Sequence, residues 1–106
     1  MIKTVDARIE IPYEKVAAFC RANKIRKMAL FGSVIRDDFG PDSDVDVLVE
    51  FEPDTNLGLR YFGIEIDLSE LLGRKVDMHE FRSVERAKNY VRRNHILRNY
   101  EVIYEA

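Results

Sequence analysis

Three short stretches carry residue types that could do chemistry together: Gly32-Ser33, Asp44-Val45-Asp46 and Val76-Asp77-Met78. A glycine leaves no side chain between the backbone and a phosphate, a serine hydroxyl can donate to a phosphate oxygen, and the amides of a following helical turn add a partly positive end. Gly32 and Ser33 are therefore suited to cradling a triphosphate tail. Residues two apart on a strand point to the same face, so Asp44 and Asp46 should present their carboxylates together. Carboxylates that close repel unless a cation lies between them, and hard oxygen donors select Mg2+ or Mn2+. Asp77 stands in an apolar run, where a carboxylate needs a partner. A metal shared with Asp44 and Asp46 would supply one, and Asp77 could also accept the proton of an attacking hydroxyl.

Either piece alone is commonplace, since Gly-Ser is a frequent turn and Asp-x-Asp a frequent loop. Their value depends on the elements that must position them. Met28-Ala29-Leu30-Phe31, stopped by Gly32, suits a buried strand ending in a tight turn, with one helical turn after Ser33. Asp44 to Phe51 alternates, with Val45, Val47 and Val49 on one side and Asp44, Asp46, Leu48 and Glu50 on the other. Leu57, Tyr61, Ile64, Leu68 and Leu71 recur at helical steps before a stop at Gly73, and a strand over 74–81 follows. A strand reached from its predecessor through a helix is the connection parallel neighbours require. Pro12 opens a helix over about 12 to 23, Ser83 caps a third running to about Arg98, and Val102-Ile103-Tyr104 makes a final strand. The expectation is one α/β (α+β) domain over residues 1–106: a small mixed sheet with covering helices, and the site at the ends of the strands bearing Ser33, Asp44 and Asp77.

Two neighbouring sets of residues stay open at this level. Arg36 could pair with a phosphate or with Asp38 or Asp42. His79 reads as a partly exposed histidine at a strand end ahead of a ligand or base. Arg82, Arg86, Lys88, Arg92, Arg93 and Arg98, with His95 among them, read first as a solvated helix face over 83–98. Their functional reading is docking of an acidic partner or of RNA.

The bulk numbers bound the partners. A formal charge of −2 argues against holding nucleic acid by bulk electrostatics, so direct nucleic-acid binding is not expected and any polyanion must be held locally. Cys20 is the only cysteine, which excludes an intramolecular disulfide and fits a buried thiol in a reducing compartment. Met1 to Ile11 lacks a signal-peptide apolar region and no later run could span a bilayer. A cytoplasmic protein without membrane contact is expected.

Phe31-Gly32-Ser33-Val34-Ile35-Arg36, then Asp42-Ser43-Asp44-Val45-Asp46-Val47-Leu48-Val49-Glu50-Phe51, then Lys75-Val76-Asp77, resemble the minimal nucleotidyltransferase family of the polymerase-beta-like superfamily, over about residues 12 to 104. The resemblance implies a palm-like fold, and that Gly32 and Ser33 contact the triphosphate of ATP or another nucleoside triphosphate, with Arg36 beside them. It further implies that Asp44 and Asp46 bind Mg2+ and that Asp77 completes the metal site or activates the nucleophile. By the same resemblance, such proteins are commonly paired with a HEPN-domain partner, often as the antitoxin of a toxin–antitoxin pair, and some transfer AMP from ATP to a tyrosine of that partner. One departure is visible: Asp37, followed by Asp38, stands where the family often has glycine after the arginine, adding negative charge near a triphosphate. The rival reading is a binding module that neutralises a partner by contact, although such a module has no chemical need for three converging carboxylates.

Overall fold

The structure, a computed structural model, describes residues 9–36 and 39–106. Asp37 and Asp38, and the question of whether they weaken triphosphate binding, lie outside the described residues. The elements run α1 (Tyr13–Ala22), β1 (Ile25–Phe31), a 3-10 turn (Gly32–Ile35), β2 (Val45–Phe51), α2 (Arg60–Leu72), β3 (Val76–Glu80), α3 (Phe81–Glu85), α4 (Tyr90–Arg98) and β4 (Tyr100–Glu105). The four strands form one mixed sheet in the order β3-β2-β1-β4, in which β2 and β3 are parallel and β1 is antiparallel to both of its neighbours. The α/β architecture and the parallel crossover through α2 are as the sequence predicts.

Both faces of the sheet are covered, which is why β2 is apolar at nearly every position. Val45, Val47 and Val49 join Met28, Leu30 and Met78 in a core that includes Val16 and Cys20 of α1 and Ile64 and Leu68 of α2. Leu48, with Ala29 and Phe31, packs on the opposite face against Phe81 and Val84 of α3 and Ile96 of α4. Leu48 is fully buried, and truncating such a leucine costs about 2–5 kcal/mol. Cys20 lies in the first core, where burial pushes its thiol up to about 12 and keeps it a neutral, unreactive group.

Several boundaries differ from the sequence reading: β2 starts at Val45 rather than Asp44, β3 spans Val76–Glu80 within the expected 74–81, and β4 runs Tyr100–Glu105, longer than Val102–Tyr104. Strand β1 begins at Ile25 rather than Met28, because Arg26 and Lys27 sit where charge is tolerated: Arg26 pairs with Glu50 at 2.8 Å, and the Lys27 ammonium lies 4.9 Å from the Phe81 ring centre. The helix expected over 83–98 is two helices. Ser83 lies inside α3, and the cap belongs to Asn89, whose side-chain oxygen accepts from the Arg92 amide at 3.1 Å and restarts the chain as α4. Pro12 precedes α1 rather than opening it. Gly73 does end α2, in the left-handed region at φ +68°. Among the described residues no helix is long and apolar enough to cross a membrane.

Candidate active site

The register of the sheet assembles the site. Phe31 pairs with Asp46 on one side and with Tyr100 on the other, and Asp46 pairs with Asp77. Asp77, Asp46, Phe31 and Tyr100 thus form one row across the end of the sheet. Paired positions project to the same face, here the face covered by α3 and α4. His79, two residues beyond Asp77, shares that face.

At this row the chain turns out of β1 through Gly32, at φ +74°. A Cβ there would stand 3.2 Å from Asp46 Cγ and collide with Asp46 Oδ2. Glycine is required twice over, once by the left-handed backbone and once by a carboxylate packed against its Cα. Ser33 follows in the 3-10 turn, partly exposed, with its carbonyl accepting from the Arg36 amide at 2.9 Å.

Asp46, Asp77 and His79 each offer one ligand atom within 4.8 Å of the others. Burial, and after it the charge of Asp77, push the Asp46 carboxyl above the ordinary carboxylate range, with Asp44 adding to the effect; His79 and Arg92 oppose it. Repulsion of this kind is what a bound cation would relieve. His79 Nε2 lies 3.1 Å from Asp77 Oδ2 but off the hydrogen-bond line, so this buried nitrogen has no hydrogen-bond partner. Two carboxylates and an unengaged imidazole nitrogen suit a divalent cation, the carboxylates favouring Mg2+ or Mn2+.

Asp44 is placed differently from its sequence expectation. It lies just ahead of β2, outside the close group, with its carboxylate 3.9 Å from the Lys75 ammonium. Asp77 is half exposed rather than enclosed by its apolar neighbours, so it does not need a metal merely to offset burial. His79, read from sequence as a strand-end residue, is part of the cluster; the available signal was its two-residue step from Asp77.

Contacts distant in sequence hold these groups in place. β3 is an edge strand, and α2 side chains occupy the backbone groups on that edge. Ser69 Oγ accepts from the Val76 amide at 3.0 Å, Glu65 Oε2 accepts from the Met78 amide at 2.8 Å, and the Tyr61 hydroxyl donates to the Met78 carbonyl at 2.7 Å. Burial, followed by the charges of Glu80 and Glu65, pushes the Tyr61 phenol up to about 12, so it remains a donor at neutral pH. Residues 76 and 78 are therefore fastened on either side of Asp77. On the other flank the Arg74 guanidinium donates to the carbonyls of Gly40, Pro41 and Ser43 at 2.8, 3.2 and 3.3 Å and stacks over Phe39. That anchors the loop leading into Asp44.

Two cavities flank the row. One, of about 230 Å3, is lined by Phe31, His79, Val84, Asn89, Arg92 and Ile96 among others. The other, of about 260 Å3, is lined by Gly32, Arg36, His95, Arg98, Tyr100 and Glu101 among others. Arg36 is thus beside Gly32 but away from the carboxylates.

A glycine turn pressed against one aspartate of a pair shared between parallel strands is the arrangement of a nucleotidyltransferase. Residues 13–101 match the nucleotidyltransferase domain family, and the chain belongs to it. A protein adenylyltransferase of Thermococcus cleftensis, MntA, is 43% identical over 54 residues, which are 51% of this chain and 54% of that protein. A solved structure of a candidate minimal nucleotidyltransferase is 32% identical, with a TM-score of 0.64 over 83% of this chain and 85% of the other. A tri-AMPylated Shewanella oneidensis HEPN toxin in complex with an MNT antitoxin contains a chain that superposes with a TM-score of 0.60 at 22% identity. That match covers 89% of this chain and 70% of the other. The chain spans about half the length of the first curated relatives it matches.

Proposed function

We propose that this chain is a protein adenylyltransferase that moves AMP from Mg2+-ATP to a hydroxyl group, with a tyrosine of a HEPN-domain partner as the acceptor and the chain acting as the antitoxin of that pair. The observation that carries the proposal is the carboxylate pair Asp46 and Asp77, joined by His79 and roofed by a glycine that admits no side chain. The names of the relatives agree with it: one is a protein adenylyltransferase, and another structure holds an AMPylated HEPN toxin beside an MNT antitoxin. A cytoplasmic placement, where ATP and Mg2+ are supplied, goes with this reading.

Asp46 and Asp77 would hold the divalent cation, with His79 within reach and Asp44 at the margin able to bind a second ion through the triphosphate. When bound, such ions neutralise phosphate charge and stabilise the attacking and leaving oxygens. The chain's own groups do the rest. Gly32 lets the phosphate approach the backbone, and Ser33 offers a hydroxyl donor to it. Arg36 stands beside the turn. Asp77, the outermost carboxylate of the row and half exposed, accepts the proton of the incoming hydroxyl. The bond from the acceptor oxygen to the α-phosphorus forms as the bond from that phosphorus to the β-phosphate oxygen breaks, and pyrophosphate leaves with the bonding pair.

The test is incubation of the chain with labelled ATP, Mg2+ or Mn2+, and its HEPN partner, read as one added AMP per acceptor by peptide mass spectrometry. Label on a tyrosine, absent with EDTA, is expected. Stable binding of the partner with no label under either metal would mean that the chain neutralises by contact alone.

A further inference from the structure

We propose that His79 is a direct metal ligand of this site, and that its imidazole makes the position between Asp46 and Asp77 select a first-row transition cation, such as Mn2+, over Mg2+. The inference rests on the metal-site part of the adenylyl-transfer reading and not on the identity of the acceptor.

The atom that carries it is His79 Nε2, which is buried without a hydrogen-bond partner and lies 3.1 Å from Asp77 Oδ2. A protonated imidazole beside a carboxylate ordinarily turns its N–H along the line to the oxygen, because a charge-assisted hydrogen bond is the stronger kind. Here the contact is off that line. Donors at right angles on a shared octahedral cation, with bonds of about 2.1–2.2 Å, stand about 3.0–3.1 Å apart, and each lone pair lies roughly 45° off the line joining them. The His79–Asp77 pair has that spacing and that misalignment. Asp46 completes the set, since one oxygen of each aspartate and a ring nitrogen of His79 lie within 4.8 Å of one another.

The sheet puts the imidazole there. His79 is two residues along β3 from Asp77 and pairs with Leu48, which is two residues along β2 from Asp46. The period of a strand therefore sets His79 on the same face as both carboxylates. Its ring stands edge-on to Phe31, with centres 5.6 Å apart, and about a third of the side chain stays exposed beside the half-exposed Asp77. That leaves an ion a path into the group.

The donor set decides the ion. Mg2+ takes oxygen donors and gives up its waters reluctantly, so an imidazole adds little to its binding. The affinity of one mixed nitrogen and oxygen site rises along the first row from Mn2+ towards Cu2+, which makes Mn2+ the most stringent probe of the preference. Asp44, outside the close group, offers only oxygen to the Mg2+ that travels with the nucleotide.

The test is metal binding without nucleotide to the parent, His79→Gln and His79→Asp, by paramagnetic resonance of Mn2+ and by calorimetry with Mn2+ and Mg2+. Spin-echo resonance on the parent should show the coupling of an imidazole nitrogen to bound Mn2+. His79→Gln should lose that coupling, and His95→Gln, which removes the other of the two histidines, should keep it. Removing even an outer partner of a ligand costs about 10–100-fold in metal affinity, so His79→Gln should lower the ratio of Mn2+ to Mg2+ affinity at least about tenfold. His79→Asp supplies a third carboxylate and should raise Mg2+ affinity, lowering the ratio as well. Melting temperatures near the parent's in EDTA show that the variants are folded, and the parent's own spectrum decides the matter if one is not. Mn2+ that does not bind, Mn2+ that binds without nitrogen coupling, or a ratio within twofold of the parent's in folded His79→Gln would overturn the proposal. Nitrogen-coupled Mn2+ in a protein that transfers AMP to no acceptor would uphold the ligand and sink the adenylyl-transfer reading, whereas AMP transfer with uncoupled Mn2+ would do the reverse.

Discussion

Gly32→Ala separates backbone strain from damage to the site, because a second glycine provides the control. At Gly32 and at Gly73 the backbone is left-handed, with φ of +74° and +68°. An added methyl costs about 1–2 kcal/mol in that region, of which ~0.4–1 kcal/mol is returned by the less flexible unfolded chain. At Gly73 nothing lies within 4 Å of the new Cβ, so Gly73→Ala should lose roughly 1 kcal/mol and no function. At Gly32 the methyl collides with Asp46 Oδ2 and would stand 3.2 Å from Asp46 Cγ and 3.4 Å from its Cβ. The carboxylate must swing away, adding about 0.5–1.5 kcal/mol for a side chain driven off its rotamer. The total is about 2 kcal/mol, or roughly 8–16 °C in melting temperature for a domain of this size, against about half that at Gly73.

The functional loss should be far larger than the difference in stability. A displacement of about 1 Å in a reacting constellation can cost on the order of a hundredfold, and Asp46 is the central carboxylate of this one. Thermal melts, Mg2+-ATP calorimetry and single-turnover AMP transfer on both variants, at a temperature where each is folded, provide the comparison. Gly73→Ala should transfer at the parental rate and Gly32→Ala at about a hundredth of it or less. If Gly32→Ala melts with Gly73→Ala and transfers within a few-fold of the parent, the contact with Asp46 is not what requires the glycine.

Asp77→Asn should still bind Mg2+-ATP with modest loss but transfer at least about a hundredfold more slowly, which single-turnover kinetics would show; a parental rate would make Asp77 a structural carboxylate. Asp46→Asn should remove metal-dependent ATP binding yet raise the melting temperature in EDTA at pH 7, because burial and the charge of Asp77 disfavour the ionised carboxyl. The folded carboxyl of Asp46 titrates above its unfolded value, so its favourable contribution is full below about pH 3.8 and lost as pH rises through the folded value. The advantage of Asn should therefore close as the melts approach pH 3. Arg92→Glu should weaken Mg2+-ATP binding several-fold, because Arg92 is a cation acting on Asp46, whereas Arg86→Glu should not; equal affinities in calorimetry would return Arg92 to the solvated surface.

The strands that build the row were legible because their patterns are local. An apolar run stopped by Gly32, an alternating strand with Asp46 on its charged side, and a helical crossover ending at Gly73 require only the residues within them. What was illegible is set by contacts far apart in sequence. Arg74 reaches Gly40 across 34 residues, and Tyr61 and Glu65 reach Met78 across 17 and 13. No periodicity in either partner marks these. The interruption between α3 and α4 was hidden for another reason: Arg86, Ala87 and Lys88 are good helix formers, so only the Asn89 cap marks the restart.

That break changes the meaning of the basic segment. Read as one helix over 83–98, its cations distribute around a solvated surface and serve equally for docking an acidic partner. With the chain interrupted after Glu85, α4 starts afresh and lies over the same face of the sheet as Phe31, with Ile96 buried beneath it. Steps of three along that helix then bring Arg92 to the cavity beside the carboxylates, and His95 and Arg98 to the cavity that Gly32 lines. A chain with a net charge of −2 can thereby present cations to a polyanion where one is needed, without a basic surface overall.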